Sequence, residues 1–295
     1  MPELPEVETI RRDLRERVLN KKITQVAIRR ASTVRSALSR QAAPRERQQF
    51  VKILEENQFT DIDRVGKLLI FNLSDQAHYL LVHLKMTGQL IYQWDQRVIA
   101  GGHSASPLDL NVPNQYTRVM IAFADGARLH FNDLRAFGYM KIVQKEEMER
   151  VKERFGIEPL TTSFTLAEFT NRLKERKTSI KAALMNQALF AGLGNIYADE
   201  SCFAAGIRPA RRAVALTRQE IKRLYEAIQR VLKRAIKERG TTFNNYLDPY
   251  GRKGNFIKQL KVYGRGGEAC KRCQTTLKKI KVAGRGTVFC PRCQR

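Results

Sequence analysis

Val7, Ile10, Leu14 and Val18 recur at intervals of three and four, the spacing of one apolar stripe along a helix. They predict an amphipathic helix running from Pro5. Short β-like runs follow at 23–28, 67–73, 79–86, 118–123 and 128–132. Ala124-Asp125-Gly126 joins the last two as a tight hairpin. Residues 31–50 are polar and basic and read as a loop with some helix. Residues 101–113, rich in Gly, Ser, Pro and Asn, read as a second loop. The first part of the chain is therefore a mostly β domain with one N-terminal helix.

After an apolar run from Met140 to Val143 the pattern becomes helical. The charged segment 145–155 leads to Gly156 and Pro159, where one domain gives way to the next. Residues 166–173 and 180–185 fit short helices, and Asn195 begins another after the turn Ala191-Gly192-Leu193-Gly194. The clearest helix starts at Thr217, which forms a capping-box pattern with Glu220. Its stripe runs through Ile221, Leu224, Ile228, Val231 with Leu232, and Ile236, and Gly240 stops it. A polar, glycine-containing stretch from Thr241 to Asn255 precedes a β-rich, cysteine-containing end. No internal repeat is visible.

Cys270-x2-Cys273 and Cys290-x2-Cys293, sixteen residues apart, can turn four thiolates toward one centre. That spacing fits one structural zinc ion better than disulfides in a secreted protein. Cys202 is left over in a helical segment as a small buried apolar residue, and an odd count suits a reducing compartment. The chain carries 54 Lys and Arg against 29 acids, a formal charge of +25. Residues 240–295 hold 13 of these cations and two acids. Such a balance favours a polyanionic partner and salt-dependent binding, although a generally basic protein would share it. The acidic start, MPELPEVETI, has no apolar run of the signal-peptide kind, and no stretch approaches a membrane span. The chain reads as intracellular and soluble, with no membrane partner.

Pro2 is the first chemical candidate. Removal of Met1 leaves a secondary amine, and an α-amine of ordinary pKa about 7.7–8.0 is partly neutral near pH 7. Attack on a sugar C1′ would give a cationic iminium, an electron sink for later eliminations. Glu3 and Glu6 beside it could serve as acid and base or tune the amine. Acids at a helix start also simply favour the helix dipole, so these residues alone decide nothing.

The strings MPELPEVETIRRDL, HLKMTG (83–88), FNDLRAFG (131–138), AGLGNIYADE (191–200) and GRGTVFCPRCQ (284–294) occur in that order. In them the chain resembles formamidopyrimidine-DNA glycosylase over nearly its whole length. The ELPEVET form resembles that branch more than the related endonuclease VIII type. The resemblance implies an α+β multidomain fold. It consists of an N-terminal β-sandwich with a long N-terminal helix (1–145), a helix-two-turn-helix domain (146–240), a lesion-covering loop and linker (241–259) and a four-cysteine zinc finger (260–295).

It also implies a monomeric bifunctional glycosylase and AP lyase acting on oxidised purines in double-stranded DNA. Pro2 would be the Schiff-base nucleophile and Glu3 its acid/base partner. Lys67 would serve β-elimination and a phosphate, and Arg285 the phosphates around the lesion and the last elimination. Met86, Arg135 and Phe137 match the residues that fill the void left by an everted base. Asn195, Lys181 and Lys177 match phosphate contacts, and His83 matches a strand histidine, either structural or DNA-contacting. Ala136 stands where many members have a second arginine, and Tyr116 near a usual phosphate-contacting histidine. Glu6 is counted with the DNA-facing residues. The alternatives are an oxidised-pyrimidine glycosylase or a non-catalytic zinc-finger DNA-binding protein.

Overall fold

The computed structural model describes residues 1–36, 41–95, 97–102, 111–241 and 255–295. The chain forms two compact units, one of residues 1–152 with 239–255, the other of residues 153–238 with 256–295. Most of the expected lesion-covering loop, 242–254, lies outside the described residues.

The first unit begins with helix α1 (Leu4–Val18), whose expected stripe is its buried face: Val7, Ile10, Leu14 and Val18 are all at most 3% exposed. The strands are β1 (Ile23–Ile28), β2 (Phe59–Val65), β3 (Leu68–Leu73), β4 (His78–His83), β5 (Gly88–Trp94), β6 (Arg97–Gly102), β7 (Thr117–Phe123), β8 (Arg128–Asp133) and β9 (Tyr139–Gln144), with helix α2 (Pro44–Glu55) between β1 and β2. They form two sheets, ordered β1-β7-β8-β5-β6 and β2-β3-β4-β9, with every neighbouring pair antiparallel. Thr117, Val119, Ile121 and Phe123 alternate inward along β7, as a half-buried strand requires. One core joins α1 and α2 to both sheets. Helix α3 (Lys145–Glu153) follows β9.

The run expected at 79–86 is not one strand. It ends at His83, and β5 starts at Gly88 in the other sheet. Gly88 allows the sharp crossing, since a Cβ there would lie 2.4 Å from the Leu84 carbonyl oxygen. Strand β2 also escapes the sequence pattern, because three of its seven residues are charged and only Phe59 and Ile62 are buried.

The second unit contains α4 (Leu166–Leu173), α5 (Ile180–Met185), α6 (Asn195–Ala205), α7 (Arg218–Lys237), α8 (Phe256–Gln259) and the hairpin β10 (Lys278–Val282) with β11 (Arg285–Phe289). Helix α6 is buried on nearly every side and is its central post. The expected capping box opens α7: the Glu220 amide donates to Thr217 Oγ1 at 3.2 Å, and Glu220 Oε2 accepts from the Thr217 amide at 2.8 Å. Its buried seam is Ile221, Leu224, Ile228, Leu232 and two alanines, Ala227 and Ala235, while Val231 and Ile236 stand only half-buried. Small residues in the seam let a neighbouring helix approach, and α6 packs on α7.

Beyond α7 the chain returns to the first unit. Arg239 pairs with Asp13 at 2.6 Å, and Gly240 adopts φ +82° against Glu6. A Cβ on Gly240 would sit 2.7 Å from Glu6 Oε1 in a backbone region that L-residues rarely adopt. Gly240→Ala is therefore expected to destabilise the protein by more than about 1 kcal/mol, read as a lower urea midpoint with an unchanged m-value.

Candidate active site and nucleic-acid interface

The N-terminal turn is built on buried carboxylates. Glu3 is 2% exposed, and its amide donates to Glu6 Oε2 at 2.9 Å. Glu6 Oε1 accepts from both the amide and the hydroxyl of Thr241, at 2.7 and 3.0 Å. Glu6, expected to face DNA or tune the amine, thus has both oxygens engaged inside the protein; its geometry is that of a clamp. One turn on, burial pushes the Glu8 carboxyl up, but hydrogen bonds from Arg11 and Arg12 and the charge of Arg64 overcome this and hold it at about 2. Arg64 also donates to the Gly66 carbonyl at 2.8 Å, so α1 fixes the turn that carries Lys67, itself 5% exposed.

Pro2 is buried at this turn. Burial lowers the α-amine of Met1 below its ordinary value, against the pull of Glu3 and Glu6 and with the help of Lys67. An amine, two carboxylates and an ammonium therefore share one electrostatic neighbourhood within the first unit. The Glu8 cluster was missed in the sequence, although Glu8 with Arg11 and Arg12 has the spacing of helical ion pairs.

Two loops pass side by side from one sheet to the other. Leu84–Thr87 joins β4 to β5, and Leu134–Gly138 joins β8 to β9. His83 pairs with Tyr139 at one end, and Gly88 pairs with Asp133 at the other. Asp133, 1% exposed, governs both loops. It accepts from the Thr87 hydroxyl, from the Arg135 amide at 3.2 Å and from the Gly138 amide at 2.6 Å. The Arg135 amide also reaches Thr87 Oγ1 at 3.1 Å.

Met86 stands half-buried on the first loop, and Arg135 and Phe137 project from the second. Phe137 is 49% exposed under the Arg135 guanidinium, 4.7 Å from its ring centre. Ala136 between them adopts φ +54°, an unusual conformation for alanine. The three expected void-filling residues are thus brought to one edge. Tyr116 lies at the same edge, half-buried, its carbonyl accepting from the Asp133 amide at 2.9 Å.

His83 closes this group. Burial, then the nearby cations Lys85, Lys67 and Arg35, lower its pKa to about 3, so its ring is neutral near pH 7. The Lys85 amide donates to His83 Nδ1 at 3.0 Å, which leaves the proton on Nε2. His83 is therefore a neutral hydrogen-bond donor among cations. Asp133, unlike the residues around it, was not singled out in the sequence, though it lies inside the FNDLRAFG string.

In the second unit the turn before α6 is closed by Gln187, which accepts from the Gly192 amide at 2.9 Å and donates to the Leu193 carbonyl at 2.7 Å. Asn195 opens α6, and its Nδ2 donates to the Gly286 carbonyl at 3.3 Å. Lys177 is exposed. Lys181 is not: it is fully buried, 2.7 Å from Asp199. In place of a phosphate contact its ammonium donates to Thr287 Oγ1 at 2.7 Å and to the Gly286 carbonyl at 3.1 Å.

Asp199 accepts in turn from the Val288 amide at 3.2 Å, and burial pushes its carboxyl up to about 7 against the pull of Lys181. These bonds grip the strand that begins with Arg285. That residue is exposed beside the turn Ala283-Gly284, both at positive φ as a tight hairpin requires. Adjacent Glu200, 3% exposed, binds the backbone amides of Lys261, Val262 and Tyr263, which lead into the cysteine-containing end.

The sulfurs of Cys270, Cys273, Cys290 and Cys293 all lie within 4.8 Å of one another. Metal–sulfur bonds of about 2.3 Å in a tetrahedron need sulfurs about 3.8 Å apart, so the four fit a zinc ion. The amides of Arg272 and Cys293 point at Cys270 and Cys290 sulfur, each at 3.4 Å, which suits thiolates. Cys202 is buried away from this cluster's chemistry, and burial raises its thiol pKa. Among the described residues no helix is long and apolar enough to cross a membrane.

Residues 1–140 match the model of the formamidopyrimidine-DNA glycosylase N-terminal domain, and residues 155–246 that of its H2TH domain. Residues 267–295 match a zinc finger found in FPG and IleRS. A formamidopyrimidine-DNA glycosylase of Desulfitobacterium hafniense is 43% identical over 279 residues, 94% of this chain and 93% of that protein. One from Pelotomaculum thermopropionicum is 38% identical over 275 residues, 92% of this chain and 91% of the relative. Among solved structures, Lactococcus lactis Fpg in complex with an abasic-site DNA superposes with a TM-score of 0.83 at 32% identity, covering 99% of each chain. The wild-type Lactococcus lactis protein with a DNA containing N7-benzyl-Fapy-dG gives 0.83 at 33% identity over 100% of each.

Two outcomes follow from the buried charges. His83 binds no proton until about pH 3, whereas the unfolded chain takes one up near 6.5, so what this residue contributes to native stability falls as pH drops below about 6.5, opposite in sense to Asp199. Buried His130, lowered to about 4, acts in the same sense as His83. The Tm of His83→Gln, taken relative to that of the native protein at the same pH, should rise as pH falls from 7.5 to 5.5. Lys181→Met leaves Asp199 buried without its cation and should remove about 3–5 kcal/mol near neutral pH in urea unfolding. That deficit against the native protein should widen as pH rises above about 7, where Asp199 ionises beside Lys181 in the native protein but not without its cation.

Proposed function

The chain belongs to the formamidopyrimidine-DNA glycosylase family, and from that membership we propose that it excises oxidised purines from duplex DNA and then cuts the strand as an AP lyase. The substrates are 8-oxoguanine and formamidopyrimidines. The observation that carries the reading is the N-terminal turn, where Pro2, Glu3 and Lys67 are all buried. With Met1 removed, the amine of Pro2 attacks C1′ and the base leaves with the glycosidic electron pair and a proton. Loss of the proline proton and opening of the sugar ring, with a proton passed to O4′, give the iminium; Glu3 serves this exchange. The iminium acidifies C2′, so loss of that proton expels the 3′ phosphate. A second elimination expels the 5′ phosphate and leaves a one-nucleotide gap. Lys67 serves the first elimination and Arg285 the second.

Met86, Arg135 and Phe137 suit the space left by the everted base: a flexible thioether, a hydrogen-bonding guanidinium and a flat ring on two loops held by one carboxylate. Asn195, Lys177, Tyr116 and the neutral His83 bind phosphates. One zinc ion, held by the four cysteines, fixes the end of the chain that presents Arg285 and enters no step of the reaction. The protein acts as a monomer in the bacterial cytoplasm, and its charge of +25 makes binding fall steeply with salt.

Borohydride trapping on an 8-oxoguanine:cytosine duplex tests the reading. The native protein should yield a covalent adduct mapped to residue 2, and Pro2→Gly should lose at least about 90% of it, a barrier change of about 1.4 kcal/mol or more. Tight binding without an adduct, or an adduct on another residue, would overturn the proposal.

A further inference from the structure

In the second unit a cavity of about 410 Å³ opens beside α6 and the last turns of α7. Its rim is cationic from three directions. Arg230 and Arg234 stand one turn apart on α7, Lys261 follows α8, and Lys271 and Arg272 come from the first cysteine pair. All five are exposed. The helix dipole accounts for a cation in the last turn of α7, but not for three more brought from other segments to the same opening. Like charges at i and i+4 oppose each other, and among the described residues of the wall the one acid, Glu200, acts on Lys261 alone of the five. Glu200, the acid in that wall, is spent on three backbone amides, and burial raises its pKa.

The wall is also built to hold. Lys271 Nζ donates to the carbonyls of Lys258 and Leu260, at 3.3 and 3.2 Å, which fixes the cysteine knuckle against the opening. The Arg272 guanidinium lies 4.5 Å from the centre of the Phe203 ring. Phe256 and Ala204 complete an apolar floor, and buried Gln259 Oε1 has no hydrogen-bond partner among the described residues. An occupant must therefore bring a compact, strong anion for the rim, an uncharged body for the floor and an N–H or O–H donor for Gln259.

We propose that this cavity is a second ligand site that takes a nucleoside monophosphate. The phosphate lies between Arg230, Arg234 and Lys261, where paired guanidinium groups match its oxygens. The nucleoside lies on the exposed Arg272 guanidinium that covers Phe203, beside Phe256, and donates to Gln259 Oε1. The size suits a single nucleotide better than a strand, and small-molecule sites commonly span about 300–1,000 Å³. An acidic peptide offers weaker anions and needs a longer groove.

Calorimetric titration of the full-length, zinc-loaded protein with dGMP tests this, with deoxyguanosine, inorganic phosphate and a short acidic peptide as comparison probes. dGMP should bind more tightly than phosphate or deoxyguanosine alone. Arg230→Gln with Arg234→Gln should raise its Kd at least about tenfold. The double variant should retain the native Tm and native cleavage of a lesion duplex, so the outcome is separate from that of the glycosylase reading. A dGMP affinity unchanged in the variant places the nucleotide elsewhere and overturns the proposal. So does phosphate binding as tightly as dGMP, or binding of the peptide alone.

Discussion

A lysine and an aspartate enclosed together set the terms for the second unit. Lys181 and Asp199 are at most 1% exposed and 2.7 Å apart, and neither could be buried alone at tolerable cost. The remaining hydrogen-bonding capacity of the pair is directed at one strand. Thr287, Gly286 and Val288 all bond to it, so the residue before them, Arg285, is carried on backbone that three donors and acceptors define. Desolvation supplies the precision here: a buried charge accepts few arrangements, and each of them fixes its neighbours.

The same logic recurs in the first unit with carboxylates in three settings. Glu6 joins the N-terminal turn to Thr241, Glu8 gathers three arginines between α1 and β2, and Asp133 binds two loops to each other. Glu8 and Asp133 lie near the residues expected to do the chemistry without being among them, and Glu6, expected to face DNA or tune the amine, is turned inward. In a strongly basic protein, buried acids are the scarce element that orders the cations.

Much of this was legible in the sequence because it depends on periodicity or on local spacing. The stripe of α1, the capping box of α7 and the two cysteine pairs are patterns within one helix or one turn, and the structure keeps them. The crossing at Leu84–Thr87 was hidden, since an apolar run does not record a change of sheet. Strand β2 was hidden by its charges. The motifs place Lys181 and Glu6 toward the ligand because a motif fixes which residue stands at a position, whereas burial depends on partners 106 and 235 residues away. The chemistry of a position was written locally; its exposure was not.

The side-by-side crossings also bear on how such a domain can be remodelled. Each loop is anchored at its two ends in different sheets, and Asp133 laces one to the other through Thr87 and the Arg135 amide. Lengthening either loop alone would pull the shared carboxylate out of register with the other. The transferable module is the pair, Leu84–Thr87 together with Asp133–Gly138. A graft between related proteins that moves only one of them inherits a mismatch at the seam.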